Sequence, residues 1–500
     1  MTAVEPPEAR DFGRESSRIG LNLASLVASR FFCLALSIVQ VGIILRALPI
    51  DGRGQFGYAL SFPKLFTVFA TLGIQRLIVR NIARNPRIAW THVWTAATVV
   101  TVLSTMVTVV IMGSILLIED DPVVRAAVFL ATLSVIVLWA VQRPFEGLLI
   151  AKEKMVYIAV INIVAGAARL GSVWVAMGRA PSSASAHGAI AVGNVIGFVL
   201  MVAAAIAVAG WERPRLRLSL AFGQIRETIP FSFSIFFSMV YFLSDMAILK
   251  WRLGETAAGV YTPAQRIIEP LLMVAGIWGT AVFPALCRFS VDDPDAYIRL
   301  KATSARLALL AAFPIGFGIA FLAEPIMVLL TGENAGDIAE TVFVLRLLCV
   351  VTPFFYFNAV GQEFLYSAHR NWFVAGSYGC AAAISVSMNV LLIPRLGVPA
   401  VAVTAIAANV AVSAAFVWGM QREYGTMGLF SLVARTTLAC AVMGVAAYLI
   451  APVSLVLGVA AGGVVYVGLQ LALRTLTPAE RRLLLRMAQD PLRRLTGRGA

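Results

Sequence analysis

The chain has 500 residues, of which 60% are hydrophobic and 13% charged, with a mean hydropathy of +0.86; an average soluble domain carries roughly 25% charged residues. Those proportions exclude a soluble globular protein and predict an all-α polytopic membrane protein. The net charge of +14 would suggest a nucleic-acid partner in a soluble chain, so the basic residues must first be sorted by side of the membrane.

The opening residues 1–18 are polar and hold no compact apolar stretch with a small-residue cleavage site, so the first span is expected to direct insertion. Apolar runs then recur at 19–45, 56–79, 90–118, 122–150, 155–178, 187–210, 227–249, 257–287, 303–330, 338–366, 372–393, 399–420, 431–450 and 453–473. At about 1.5 Å per residue each can cross a hydrocarbon core of about 30 Å, giving about 14 transmembrane helices. With the amino terminus in the cytoplasm, the inside segments carry 24 Lys and Arg, the outside loops 6 and the spans 10. This bias places both termini inside and accounts for the basic character without nucleic acid.

Two outside loops repeat one another. "ILRALPIDGRGQFGY" (Ile44 to Tyr58) and "ILKWRLGETAAGVY" (Ile248 to Tyr261) each close a span with Ile-Leu and a base, then re-enter on an aromatic residue beside Gly57 or Gly259, 202 residues apart. Six spans per copy means copies of equal orientation, related by a pseudo-twofold along the membrane normal. The organisation expected is a cytoplasmic tail at 1–18, an N-lobe at 19–222 (spans 1–6), a C-lobe at 223–425 (spans 7–12), two extra spans at 426–474 and a basic cytoplasmic tail at 475–500. The two pseudo-symmetric six-helix lobes would face a central cavity, the plan of many secondary transporters. In the last tail Thr477, Pro478 and Glu480 are placed to start a short basic helix on the membrane surface.

An arginine at a span centre costs about 2.5–3.5 kcal/mol on insertion scales, unless it faces water inside the bundle or a partner. Arg143 and Glu146, and Arg266 and Glu269, stand at i and i+3, where one helical face lets each pair neutralise itself. Arg76 and Arg143 also lie near cytoplasmic ends and can snorkel. Arg30, Lys64 and Arg169 have no acid in their own spans, and Arg346 has none at helical spacing. Spans 1–6 hold Arg30, Lys64, Arg76, Arg125, Arg143 and Arg169 against Glu146 alone, whereas spans 7–12 hold Asp245, Glu269, Glu324, Glu340 and Glu363 against three bases. A set of bases on a shared cavity implies an anionic ligand. Asp245 and Glu363 are the candidates for ion coupling. Pairing of all these charges between helices as structural glue is the competing account.

The five cysteines have no metal-ligand or redox spacing, His92, His187 and His369 fall at span ends or in loops, and no GxxxxGK[ST], HExxH, CxxC or GxSxG motif occurs. No metal site, cofactor or enzymatic activity is therefore expected.

Arg30 in the first span, "GQFGYALS" opening the second, "LGIQRLIVRNIAR", "IPFSFSIFFSMVYFLSDMAILKW", "AAGVYTPAQRI" and "AVFPALCR" together resemble the polysaccharide and lipid-linked oligosaccharide flippases of the multidrug/oligosaccharidyl-lipid/polysaccharide exporter superfamily. The resemblance implies an alternating-access transporter of an undecaprenyl-diphosphate-linked oligosaccharide in the cytoplasmic membrane, for cell-surface polysaccharide biosynthesis. It implies a diphosphate site at Arg30 and Arg266, with Arg76, Arg143 and Arg169 as extensions; Glu269 beside Arg266 departs from a simply cationic site. Lys64 and Arg346 join this candidate set on their placement in the spans. Expected partners are the lipid-linked sugar, membrane lipids, a polysaccharide polymerase and glycosyltransferases, around a monomer. Two rivals are a cation-coupled multidrug antiporter of the same superfamily, disfavoured by the basic first half, and a membrane-embedded glycosyltransferase or polymerase, disfavoured by outside loops of about ten residues at most.

Overall fold

A computed structural model describes residues 8–71, 74–75, 78–79, 82, 89–213, 218–334, 336–424, 429–473 and 475. Arg76 and the basic tail helix expected after Thr477 lie outside the described residues. Among the described residues the chain is helical throughout, with no strand.

The helices in chain order are α1 (Glu8–Ala47), α2 (Ile50–Thr71), α3 (Ala89–Ile118), α4 (Pro122–Ala151), α5 (Met155–Arg179), α6 (Ser183–Ala209), α7 (Leu218–Asp292), α8 (Pro294–Phe321), α9 (Ala323–Thr331), α10 (Ala339–Cys349), α11 (Thr352–Ser367), α12 (Asn371–Leu396), α13 (Pro399–Tyr424), α14 (Leu429–Ile450) and α15 (Leu455–Ala472). Among the described residues twelve segments are long and apolar enough to cross a membrane. One of them, Ser232–Gly279 in α7, is broken at Gly254 (φ 84°, ψ −170°) and so makes two crossings. Only glycine adopts that backbone region readily, which is why the chain turns there. With α2 the crossings among the described residues number fourteen, as the apolar runs predict.

Local chemistry sets several starts. Asp121 accepts from the backbone N–H of Val123 at 2.8 Å with Pro122 behind it, and Asp293 accepts from that of Ala296 at 2.8 Å ahead of Pro294. Ser182 and Ser185 form a reciprocal cap on α6. Each supplies an acceptor to an N–H that the helix itself leaves without one. The Asp293 start puts α8 nine residues earlier than the expected span at 303, which draws Lys301 into the helix, where it is 2% exposed. In α4 the backbone relaxes to π-helical geometry over Leu133–Leu138, a departure often found beside functional sites.

The chain divides into two compact units, residues 1–263 with 385–398, and residues 264–384 with 399–500. In the first, α1 packs along α5 and α5 along α6, around Ile44, Leu48, Phe56, Val173, Met177, Ala186 and Ala189. Lipid tails are as apolar as these side chains, so close approach and dispersion hold the helices together rather than a hydrophobic drive. The small residues Gly193 and Gly197 on α6 provide that approach: a Cβ on Gly193 would overlap the backbone of Arg169, and one on Gly197 would meet Ala165 at 2.9 Å.

In the second unit α8 packs on α11 and α14, and α14 on α15. Gly316 brings α8 against the Cys349 carbonyl, and the Tyr466 hydroxyl donates to the Leu310 carbonyl at 2.6 Å, fastening α15 to α8.

Candidate functional site

Arg30, Lys64, Arg143 and Arg169 all lie in the first unit. Arg169, drawn against α6 by Gly193, donates through Nη1 to Asn194 Oδ1 at 2.8 Å. The Asn194 amide in turn donates to Ser134 Oγ at 2.5 Å, on the π-helical turn of α4. Arg169 is therefore held by a chain of neutral groups, which leaves its positive charge uncancelled. The Cys33 thiol on α1 is within its electrostatic reach, and Arg30 stands one helical turn before Cys33 on the same face.

Arg143 lies two turns beyond Ser134 on α4. It ion-pairs with Glu146 at 3.0 Å, donates to Gln75 Oε1 at 3.2 Å and lies over the Trp139 ring at 3.9 Å from its centroid. Arg30 is exposed. Among the described residues no carboxylate pairs with Arg30 or Arg169, and Glu146 pairs with Arg143. A planar guanidinium without a carboxylate suits phosphate oxygens, which it can meet with two parallel N–H donors. Lys64 is half-buried on α2 beside Pro63.

Asp245 closes the set of predicted residues in this unit. It is 8% exposed and accepts from the Tyr261 hydroxyl and from the backbone N–H of Met246, the latter at 2.7 Å.

In the second unit the predicted residues stand in other surroundings. The Arg266 side chain is 4% exposed and ion-pairs with Glu269 at 2.7 Å. Glu363 is buried on α11, accepts from Gln362 at 3.4 Å and packs against the backbone at Gly279. Gln362 also accepts from the Tyr378 hydroxyl at 2.9 Å. Arg346 is exposed in the last turn of α10, donates to the Ala320 carbonyl at 3.3 Å and borders an apolar cavity of about 510 Å³ walled by Phe313, Phe317, Phe321 and Phe354. It thus sits where two helices, α8 and α10, present their negative dipole ends, a position that satisfies a cation locally.

Three side chains of these sites escape a reading of the sequence by charge and hydropathy. Asn194 and Ser134 are polar residues inside apolar runs, a signal available but weaker than charge. Lys301, whose Nζ lies 5.4 Å from the centroid of Phe364, precedes the apolar run at 303, and only the capping strength of Asp293 with Pro294 brings it into a helix.

The arrangement of fourteen crossings matches solved membrane transporters. The lipid II flippase MurJ in an inward closed conformation superposes with a TM-score of 0.72 at 12% identity, over 90% of this chain and 98% of that one. An inward-facing multidrug-resistance MATE family transporter of the MOP superfamily gives a TM-score of 0.62 at 15% identity, over 78% and 94%. The MATE multidrug transporter DinF-BH gives 0.62 at 15% identity, over 81% and 95%. At such identities the likeness defines the class: a multi-pass membrane protein with the MurJ and MATE transporter fold. No curated protein sequence matches significantly. Residues 19–290 match the polysaccharide biosynthesis protein family, more than half of the chain, and the chain belongs to that family.

Proposed function

We propose that this protein is an alternating-access flippase that carries an undecaprenyl-diphosphate-linked oligosaccharide from the cytoplasmic to the outer leaflet of the cytoplasmic membrane, for cell-surface polysaccharide biosynthesis. Family membership and the transporter fold support translocation of a lipid-linked sugar. The observation that carries the substrate class is that Arg30 and Arg169, inside apolar helices of the first unit, have no carboxylate partner among the described residues. A diphosphate supplies the anionic acceptors that these arginines lack. It must be shielded from hydrocarbon as it crosses, while the prenyl tail stays in lipid.

In this proposal the N-lobe at 19–222 supplies the diphosphate site, and the C-lobe at 223–425 moves against it about a central cavity. Lys64, Arg76, Arg266 and Arg346 complete the candidate set, with Arg266 and Arg346 as its minor members. Asp245 and Glu363 are the groups through which an ion gradient would act, and both termini face the cytoplasm. The protein works as a monomer beside glycosyltransferases and a polymerase that make and consume the lipid-linked unit.

The test is reconstitution in proteoliposomes with a fluorescent prenyl-diphosphate sugar. Wild type should transfer it between leaflets, and Arg30→Ala should lose about ten- to a hundredfold in rate, the worth of one charge-assisted contact. Equal rates for the two proteins overturn the site. Efflux of a cationic dye with no lipid transfer would instead favour the multidrug antiporter.

A further inference from the structure

In the structure the two repeated loops meet. A Cβ on Gly54 would overlap the Glu255 carbonyl, one on Gly259 would overlap the Ile50 carbonyl, and one on Gly57 would overlap the Thr262 hydroxyl. The start of α2 and the part of α7 after Gly254 therefore touch backbone to backbone, and all of these residues belong to the first unit.

A charged cluster covers this contact. Lys250, its side chain 11% exposed, ion-pairs with Glu119 at 2.5 Å and Glu255 at 3.3 Å and lies 4.3 Å from the centroid of the Tyr58 ring. Gln55 donates to both Glu255 at 2.7 Å and Asp121 at 3.0 Å, and accepts from Ser183 at 3.3 Å. Thr256 donates to Asp51 at 2.6 Å. Four stretches of chain are thereby joined: the start of α2, the turn between α3 and α4, the start of α6 and the turn in α7. By the Lys and Arg bias all four face outside.

We propose that this cluster is a clasp holding the extracytoplasmic end of the first unit shut, with Lys250 as its pin, and that outward opening begins when Lys250 parts from Glu119 or Glu255. The inference rests on the alternating-access reading above. The chemistry suits a two-state contact. Closely packed interfaces switch between discrete arrangements rather than deform continuously, and a lysine shared by two carboxylates on separate segments can keep one partner while it releases the other. Removal of the pin leaves two half-buried carboxylates facing each other, which favours the open arrangement.

The experiment uses full-length protein with its native cysteines replaced and Thr262→Cys added, in right-side-out vesicles treated with a membrane-impermeant maleimide. Thr262 is 0% exposed beneath Gly57, so labelling reports opening and needs no substrate. Lys250→Met should label at least about tenfold faster than the parent, while Ala165→Cys, buried elsewhere in the same unit, stays slow in both. A second variant, Asp51→Cys with Thr256→Cys, should stop both labelling and lipid transfer when bridged by a short bifunctional thiol reagent with a reducible disulfide spacer, and recover on reduction. Unchanged labelling in Lys250→Met, equal acceleration at Ala165→Cys, or full transfer by the bridged protein would each overturn the clasp. Loss of lipid transfer in all proteins with labelling as expected would count against the flippase reading alone.

Discussion

Arg169 and Arg266 both sit well inside membrane helices, and their surroundings treat the same charge in opposite ways. Arg169 is held by Asn194 and, through it, Ser134, groups that orient the guanidinium without cancelling it. Arg266 is held by Glu269 three residues along its own helix, which cancels it. Orientation by neutral partners keeps a cation available to an incoming anion, whereas a carboxylate must first be displaced. On this comparison the proposed function expects the first unit to carry the phosphate chemistry, with Arg266, though matched by position to the flippase pattern, contributing less than Arg169.

Three substitutions sharpen the contrast, the largest effect first. Asn194→Asp places a carboxylate where the amide now sits and gives Arg169 the surroundings of Arg266. Lipid transfer should fall by about tenfold or more, with thermal stability held or raised, since the charge-assisted contact is stronger than the one it replaces. A fall in stability with transfer unchanged would break the comparison. Glu146→Gln removes the carboxylate paired with Arg143 and releases that arginine. Binding of a prenyl diphosphate should tighten by about two- to fivefold, in line with partial screening of a half-exposed pair. Arg346→Ala should change transfer by less than about twofold and lower stability by about 1 kcal/mol or less, because this arginine closes helix ends beside an apolar cavity. A transfer loss as large as that of Arg30→Ala would make Arg346 a principal contact of the diphosphate.

The same distinction explains what the amino-acid sequence could and could not convey. The crossings are legible because each apolar run must cover the bilayer, and residues 122–150 or 431–450 reappear as helices with ends shifted by a few residues. The pairs Arg143 with Glu146 and Arg266 with Glu269 are legible because both members ride one helix at i and i+3. Arg169 with Asn194 is not, since its partner lies 25 residues away on another helix and the contact depends on Gly193 drawing α5 and α6 together. The repeat glycines could be matched by pattern, but only packing reveals that Gly54 and Gly259 press on one another's segments. Gly254 reads as loop punctuation, yet its positive φ makes it a one-residue turn that brings Lys250 and Glu255 to the same carboxylate cluster.

The most direct test is equilibrium binding of undecaprenyl diphosphate to the protein in lipid nanodiscs, compared for wild type, Arg30→Ala with Arg169→Gln, and Arg266→Gln. The account predicts that the double substitution in the first unit weakens binding by about a hundredfold or more, at about 1.5–3 kcal/mol per charged contact, while Arg266→Gln stays within a few fold of wild type. Loss of binding on substitution of Arg266, with the first-unit double variant binding as wild type does, would contradict it.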